Sequence, residues 1–163
     1  MIIYVDMDEV VADLNESFEK IIGRSLGLGS KLSDVEFAKI EKYERILRDV
    51  KVKEGAEILI EWLREYCQKN NCQLFFLTSI GNERTRNMHY IIYDKVMWAS
   101  KYFPDIPVFF GPYAEDKWRF CQPGDIIIDD QISICKQWID VGGKAHVYTT
   151  WTECKIWLET ELI

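Results

Sequence analysis

Histidine is nearly missing from this sequence, with two among 163 residues. The five cysteines (Cys67, Cys72, Cys121, Cys135 and Cys154) are odd in number and have no framework spacing. Cys67 and Cys72 stand too far apart for a C-x-x-C pair. Without clustered imidazoles or paired thiols, a zinc site is not expected. Unframed cysteines, and an N-terminus reading "MIIYVD" without a signal-peptide pattern, lead to an expectation of reduced thiols and a cytoplasmic location. No apolar run approaches the ~18 residues that a membrane span needs, so no membrane partner is expected. Internal repeats and low-complexity tracts are missing too.

Positive charge is outnumbered, 20 Lys/Arg against 27 Asp/Glu. The net charge is −7, which argues against a nucleic-acid polymer as ligand. The deficit is uneven. Residues 20–54 hold nine Lys/Arg against six Asp/Glu, and such a basic segment beside acidic surroundings can steer a small anion inward. What the chain has in quantity is apolar residues, 48% of the total, enough to bury the core of a single domain with a small insertion.

The apolar runs are short and alternate with helical patterns. "IIYVD" (2–6), "QLFFLTS" (73–79), "PVFFG" (107–111), "DIIIDD" (125–130) and "KAHVYTT" (144–150) read as five strands. Asp13-x-x-Glu16 resembles a capping box ahead of Leu14, Phe18, Ile21 and Ile22, with Gly23 as the stop. Ser33-x-x-Glu36 opens a second helix, with Val35, Ile40, Tyr43 and Leu47 spaced for one face. Gly55 to Cys67 is expected as a helix buried through Ile58, Leu59, Trp62 and Tyr66. Further helices are expected from about Glu83 to Phe103, at "QISICKQWIDVGG" and at "WTECKIWLETEL". Trp62 and Trp138 fall at core spacing. The alternation predicts an α/β fold, a Rossmann-like parallel sheet of about five strands with helices on both faces. The helical segment after strand one is too long for a simple crossover. It predicts a core of residues 1–12 and 55–163 and a small helical cap, 13–54.

Functional side chains should gather beyond the carboxyl ends of the strands. Strand one ends in Asp6, with Asp8 two positions on and Glu9 and Asp13 close behind. Strand two ends in Thr78 and Ser79, and strand four in Asp129 and Asp130. Lys117 lies between strands three and four. Carboxylates this crowded must bind protons or a cation. Oxygen ligands without a His or Cys cluster favour a hard ion, best Mg²⁺.

Asp6-x-Asp8, Thr78-Ser79, Lys117 and Asp129-Asp130, in this order, resemble the four motifs of the haloacid dehalogenase superfamily of phosphatases, over nearly the whole chain. The finer pattern "DMDEVVAD", "LTS", "DKW" and "IIDDQ" is similar to its 5'(3')-deoxyribonucleotidase branch, which carries a helical cap after the first motif. The resemblance implies a Mg²⁺-dependent phosphomonoesterase. Asp6 is then the nucleophile that forms an aspartyl-phosphate, and Asp8 the acid–base group. Asp6, the Asp8 backbone carbonyl and Asp130 hold the metal, with Asp129 beside them. Thr78, Ser79 and Lys117 hold the phosphoryl oxygens. The partner implied is a small phosphomonoester, foremost a deoxynucleoside monophosphate.

Three positions depart from the branch: Glu9 where Gly is usual, Leu14 where Phe is common, and Glu115 where some members have Arg. Phe18, Phe37, Tyr43, Trp98 and Trp118 are candidates to line a base pocket. A dehalogenase lacks the second aspartate, so Asp8 favours phosphate transfer. A receiver domain carries its acid pair early, whereas this pair comes late. A phosphatase of sugar phosphates or other small esters, and an inactive binding protein of the same fold, stay as alternatives.

Overall fold

The structure, a computed structural model, describes residues 1–27, 30–81, 85 and 89–161. Five strands form one sheet in the order β3-β2-β1-β4-β5: β1 (Ile2–Val5), β2 (Gln73–Ser79), β3 (Val108–Gly111), β4 (Ile126–Asp129) and β5 (Lys144–Val147). All pairings are parallel. The helices are α1 (Leu14–Ile22), α2 (Asp34–Glu41), α3 (Ala56–Asn70), α4 (Ile91–Tyr102), α5 (Ile132–Asp140) and α6 (Trp151–Glu161). This is the expected α/β Rossmann-like sheet, its strands a residue or more shorter than their apolar runs at four of five positions. The expected helical start at Glu83 lies outside the described residues. No helix among the described residues is long and apolar enough to cross a membrane.

Side chains alternate across a strand, and here both faces are covered. Ile3, Val5, Phe76, Ile126 and Ile128 share one cluster with Leu59, Ile60 and Leu63 of α3, Trp98 and Ala99 of α4, and Leu158 of α6. Tyr4, Leu77 and Ile127 face the other way, against Ile134 and Trp138 of α5. Trp138 is fully buried, and its indole N–H donates to the Asp125 carbonyl at 3.1 Å. Burial on both faces explains why these strands read as continuous apolar runs rather than alternating ones.

The segment after β1 follows its capping signals. The Asp13 carboxylate accepts from the Glu16 N–H at 3.2 Å, and Gly23 ends α1 with φ 79°. Ser33 and Glu36 form both arms of a capping box. The single face expected through Leu47 does not form. After α2 the chain turns and resumes as a 3-10 segment, Ile46–Asp49. Helical register is lost at the turn, so Ile40 and Leu47 are buried while Val35 (70%) and Tyr43 (57%) are exposed. The face of α3 is also displaced from expectation. Its buried stripe is Ala56, Leu59, Ile60, Leu63 and Cys67. Ile58 is exposed, lying about 100° round the helix from Leu59. Trp62 and Tyr66 are half-buried and stack on each other at 5.6 Å.

Gly55 precedes α3 with φ 79°, and the Trp151 indole occupies the space that a β-carbon would need. The position therefore demands glycine twice, by backbone conformation and by volume. Gly55→Ala should lower stability by about 2–4 kcal/mol, read as a lower urea midpoint. A midpoint equal to that of the native chain would show that α6 yields at Trp151.

Candidate active site

The chain lays down β1, β2 and β3 in one direction and returns to place β4 and β5 on the other side of β1. The β1/β4 boundary is thus the switch point of the sheet, where a crevice opens beyond the strand ends. Asp6 lies there. Its N–H continues the ladder to the Ile128 carbonyl at 2.9 Å. Met7, Val10 and Val11 sink into the core, anchoring a tight loop. Met7 O accepts from the N–H groups of both Val11 and Ala12.

Glu9 takes the left-handed conformation in this loop, with φ 60°. Glycine adopts that conformation without cost, whereas a side chain there is strained. The Glu9 carboxylate is turned away to other work. One oxygen accepts from the Asn15 N–H at 2.7 Å, and the other pairs with Lys53 at 2.8 Å. Glu9 therefore joins the chain entering the helical segment to the chain leaving it. Ala12 and Val52 bridge beside this clasp, and Lys53 N–H donates to Val11 O at 2.8 Å. Of the crowded acids after β1, Asp13 is a helix cap and Glu9 a clasp, so Asp6 and Asp8 remain for chemistry.

Their counter-charges are two buried lysines. The Lys117 ammonium bridges Asp6 at 2.8 Å and Asp129 at 2.7 Å, and it is 1% exposed. It comes from a 3-10 segment, Ala114–Phe120, that packs closely on Gly111 at the end of β3. A β-carbon on Gly111 would press on Lys117 at 3.1–3.2 Å. Burial opposes the Lys117 charge, yet Asp6 and Asp129 hold its pKa well above the ordinary lysine value.

Lys95, on α4, was not singled out from the sequence. Its ammonium donates to the Asp8 carboxylate at 2.6 Å, the Thr78 hydroxyl at 2.7 Å and the Ser79 carbonyl at 2.9 Å. A signal was present. The buried residues of α4 are Ile91, Asp94, Lys95, Trp98 and Ala99, which is the i, i+3, i+4, i+7, i+8 stripe of a core-facing helix. Two charges on that stripe need buried partners. Asp94 has one in Arg45, which meets it with two nitrogens at 2.5–2.9 Å.

Asp6, Asp129 and Asp130 each offer an oxygen within 4.8 Å of the others. Burial, opposed by Lys117 and reinforced by Asp129, Asp8 and Asp130, pushes the Asp6 carboxyl up to about 8. Burial and then Asp129 push Asp130 up to about 7. Asp129 is fully buried and also accepts from Gln131 N–H at 2.9 Å. Three oxygen donors at this separation, two of them with raised pKa values, fit a hard divalent cation. With all four aspartates ionised, Lys95 and Lys117 offset two of four negative charges, leaving the charge that one such cation cancels.

Beside this cluster, reached through Asp8 and Lys95, opens a cavity of about 570 Å³, in the range of small-molecule sites. Asp8, Ser79 and Lys95 form its floor side. Leu14, Phe18, Phe37 and Leu47 supply apolar walls. Of the aromatic candidates, Phe18 and Phe37 line it. Tyr43 is exposed elsewhere, and Trp118 is 38% exposed with Arg119 over its ring. Trp98 is buried, its indole N–H donating to the Val50 carbonyl at 2.7 Å. Glu115 is exposed.

No family model and no curated protein matches the sequence. Solved structures do match in three dimensions. The fold is similar to that of a hydrolase from Streptococcus pneumoniae TIGR4. The two agree at a TM-score of 0.54 with 13% identity, over 97% of each chain. At that identity the likeness speaks for the fold.

Two outcomes follow from the geometry. A carboxyl whose pKa is raised on folding binds its proton more tightly when native, so stability is lost as pH rises toward the folded value. In chelator, Tm should therefore fall as pH rises from about 5 to 8, and Asp130→Asn should flatten the part of the fall below pH 7. A Tm that is level or rising in that window would contradict the acid crowding. Glu9→Gly and Glu9→Ala both lose the Lys53 clasp, but only alanine keeps a β-carbon at φ 60°. Glu9→Gly should be the more stable by about 1 kcal/mol in urea melts; the reverse order would mean that the loop relaxes out of the left-handed region.

Proposed function

We propose that the chain is a Mg²⁺-dependent phosphomonoesterase of the haloacid dehalogenase type, acting on small substrates, with deoxynucleoside monophosphates the preferred class. The observation that carries this reading is the charge pattern beside the cavity. Four aspartates and two buried lysines converge at the switch point, two negative charges in excess, in a fold shared with a hydrolase.

Asp6 attacks phosphorus, its carboxylate needing no base once ionised. Asp8 lies outside the oxygen cluster and is held by Lys95 at 2.6 Å. It gives a proton to the leaving ester oxygen, then takes one from the water that hydrolyses the aspartyl-phosphate. Lys95 fixes Asp8 and the Thr78 hydroxyl together, setting the acid and a phosphoryl-binding group in one geometry. Ser79 and Lys117 complete the set of groups that meet the phosphoryl oxygens. Asp6, Asp129 and Asp130, with the Asp8 backbone carbonyl, are the residues that hold Mg²⁺. The ion supplies positive charge that keeps these carboxylates ionised and screens nucleophile from phosphate.

Phe18 stands one helical turn beyond Leu14, and both line the cavity. An aromatic ring is therefore supplied there although Leu14 is not aromatic, which supports a base as the group bound. Asn15, Ser30, Lys31 and Gln131 also line the cavity. These polar groups are the observation that favours the second reading, a sugar phosphate.

The test is kcat/KM with Mg²⁺ for dUMP, dTMP and dGMP against glucose-6-phosphate and an aryl phosphate. At least one nucleotide should exceed every other ester. If glucose-6-phosphate leads, the sugar-phosphate reading replaces this one. Asp6→Asn should reduce turnover by about 10³-fold or more, and Lys95→Met by ~10²-fold, with far-UV spectra unchanged. Chelator should abolish activity and Ca²⁺ should not restore it. Asp6→Asn retaining a tenth of native turnover, or activity surviving chelator, would overturn the mechanism.

A further inference from the structure

The thiols of Cys67 and Cys72 meet at the end of the sheet away from the acidic cluster. Cys67 belongs to the last turns of α3, and Cys72 precedes the first residue of β2. Asn71 between them is left-handed, with φ 52°. The N–H groups of Asn71 and Cys72 both return to the Cys67 carbonyl. This is a helix-ending turn, and such turns bring the side chains at these two positions into contact. In most helices that contact is apolar. Here the Cys72 thiol donates to the Cys67 sulfur at 2.9 Å. A disulfide has S–S near 2.05 Å, so the sulfurs need to close by about 0.9 Å. No other two of the five cysteines are described in contact. Cys135 and Cys154 are buried singly, and Cys121 is half-buried with its thiol toward backbone carbonyls.

We propose that Cys67 and Cys72 are a dithiol modification site that small-molecule disulfides oxidise reversibly to an intramolecular disulfide. Cys72 is the more exposed of the two, so it attacks. Its thiolate displaces one thiol from a disulfide such as oxidised glutathione, forming a mixed disulfide. Cys67 then loses its proton to solvent and attacks the Cys72 sulfur, releasing the second glutathione. The protein dithiol gives up two electrons, and one glutathione disulfide becomes two glutathione thiols. Burial and the neighbouring thiol raise the Cys67 pKa, so its thiolate is scarce and Cys72 is the thiol that attacks first. Thr78 lies six residues further along, roughly 20 Å of extended strand. The site therefore works independently of the acidic cluster and of the function proposed for it.

The experiment incubates the full-length chain in glutathione buffers of graded poise, blocks remaining thiols by alkylation, and maps peptides by mass. In oxidising buffers Cys67 and Cys72 should lose alkylation together, with tryptic peptides 65–69 and 70–84 joined. Cys121, Cys135 and Cys154 should stay alkylated. Returning the sample to reduced glutathione should restore all five. Cys67→Ser removes the resolving thiol, so Cys72 should then carry a stable glutathione adduct. Turnover of the oxidised chain should match that of the reduced chain. The proposal fails if Cys67 and Cys72 remain alkylated across the series, if Cys121 takes up glutathione first, or if Cys67→Ser accumulates no adduct on Cys72.

Discussion

The Lys117 ammonium, buried between the Asp6 and Asp129 carboxylates, joins the end of β1, the end of β4 and the segment after β3. Neither partner would be tolerable alone. An unpaired buried charge costs several kcal/mol, and two carboxylates at this spacing drive one another toward protonation. The geometry around Lys117 follows from that need. Gly111 leaves space for its stem, and the parallel ladder between β1 and β4 sets the two aspartates side by side.

Lys95 repeats the solution one layer outward, at Asp8 and Thr78. Its neighbour on α4, Asp94, is bound by Arg45 of the helical segment after β1. Trp98, one turn on, donates to Val50 of that segment. One helix therefore positions the acid–base candidate and carries much of the contact with the segment that walls the cavity. The Glu9–Lys53 clasp joins the entry and the exit of the same segment.

Much of this was legible because it is local. Apolar runs of strand length announced the five strands, and Ser33-x-x-Glu36 and Gly23 marked helix ends whose hydrogen bonds involve residues three or four apart. The rim residues were legible because a parallel sheet puts every strand's carboxyl end on one edge. The helix faces were less secure. Periodicity constrains spacing but not phase, so Ile58 reads as buried and Tyr43 as sharing a face with Ile40 and Leu47, and both are exposed. The turn after α2 resets the phase in a way that no propensity records.

The sequence by itself determined the alternation of strands and helices, hence the parallel sheet, and the chain positions of the acids that end its strands. Tertiary structure alone decided which acids stay together. Asp13 and Glu9, equal members of the crowd in sequence, are drawn off by a helix terminus and by Lys53. Asp6, Asp129 and Asp130 meet although more than a hundred residues separate the first from the others. Lys95 falls on the core-facing stripe of α4, but its partners are fixed only when that helix packs. The physical reason is range. Backbone preference acts over a few residues, whereas the partner that makes a buried charge tolerable is chosen by the packing of distant segments.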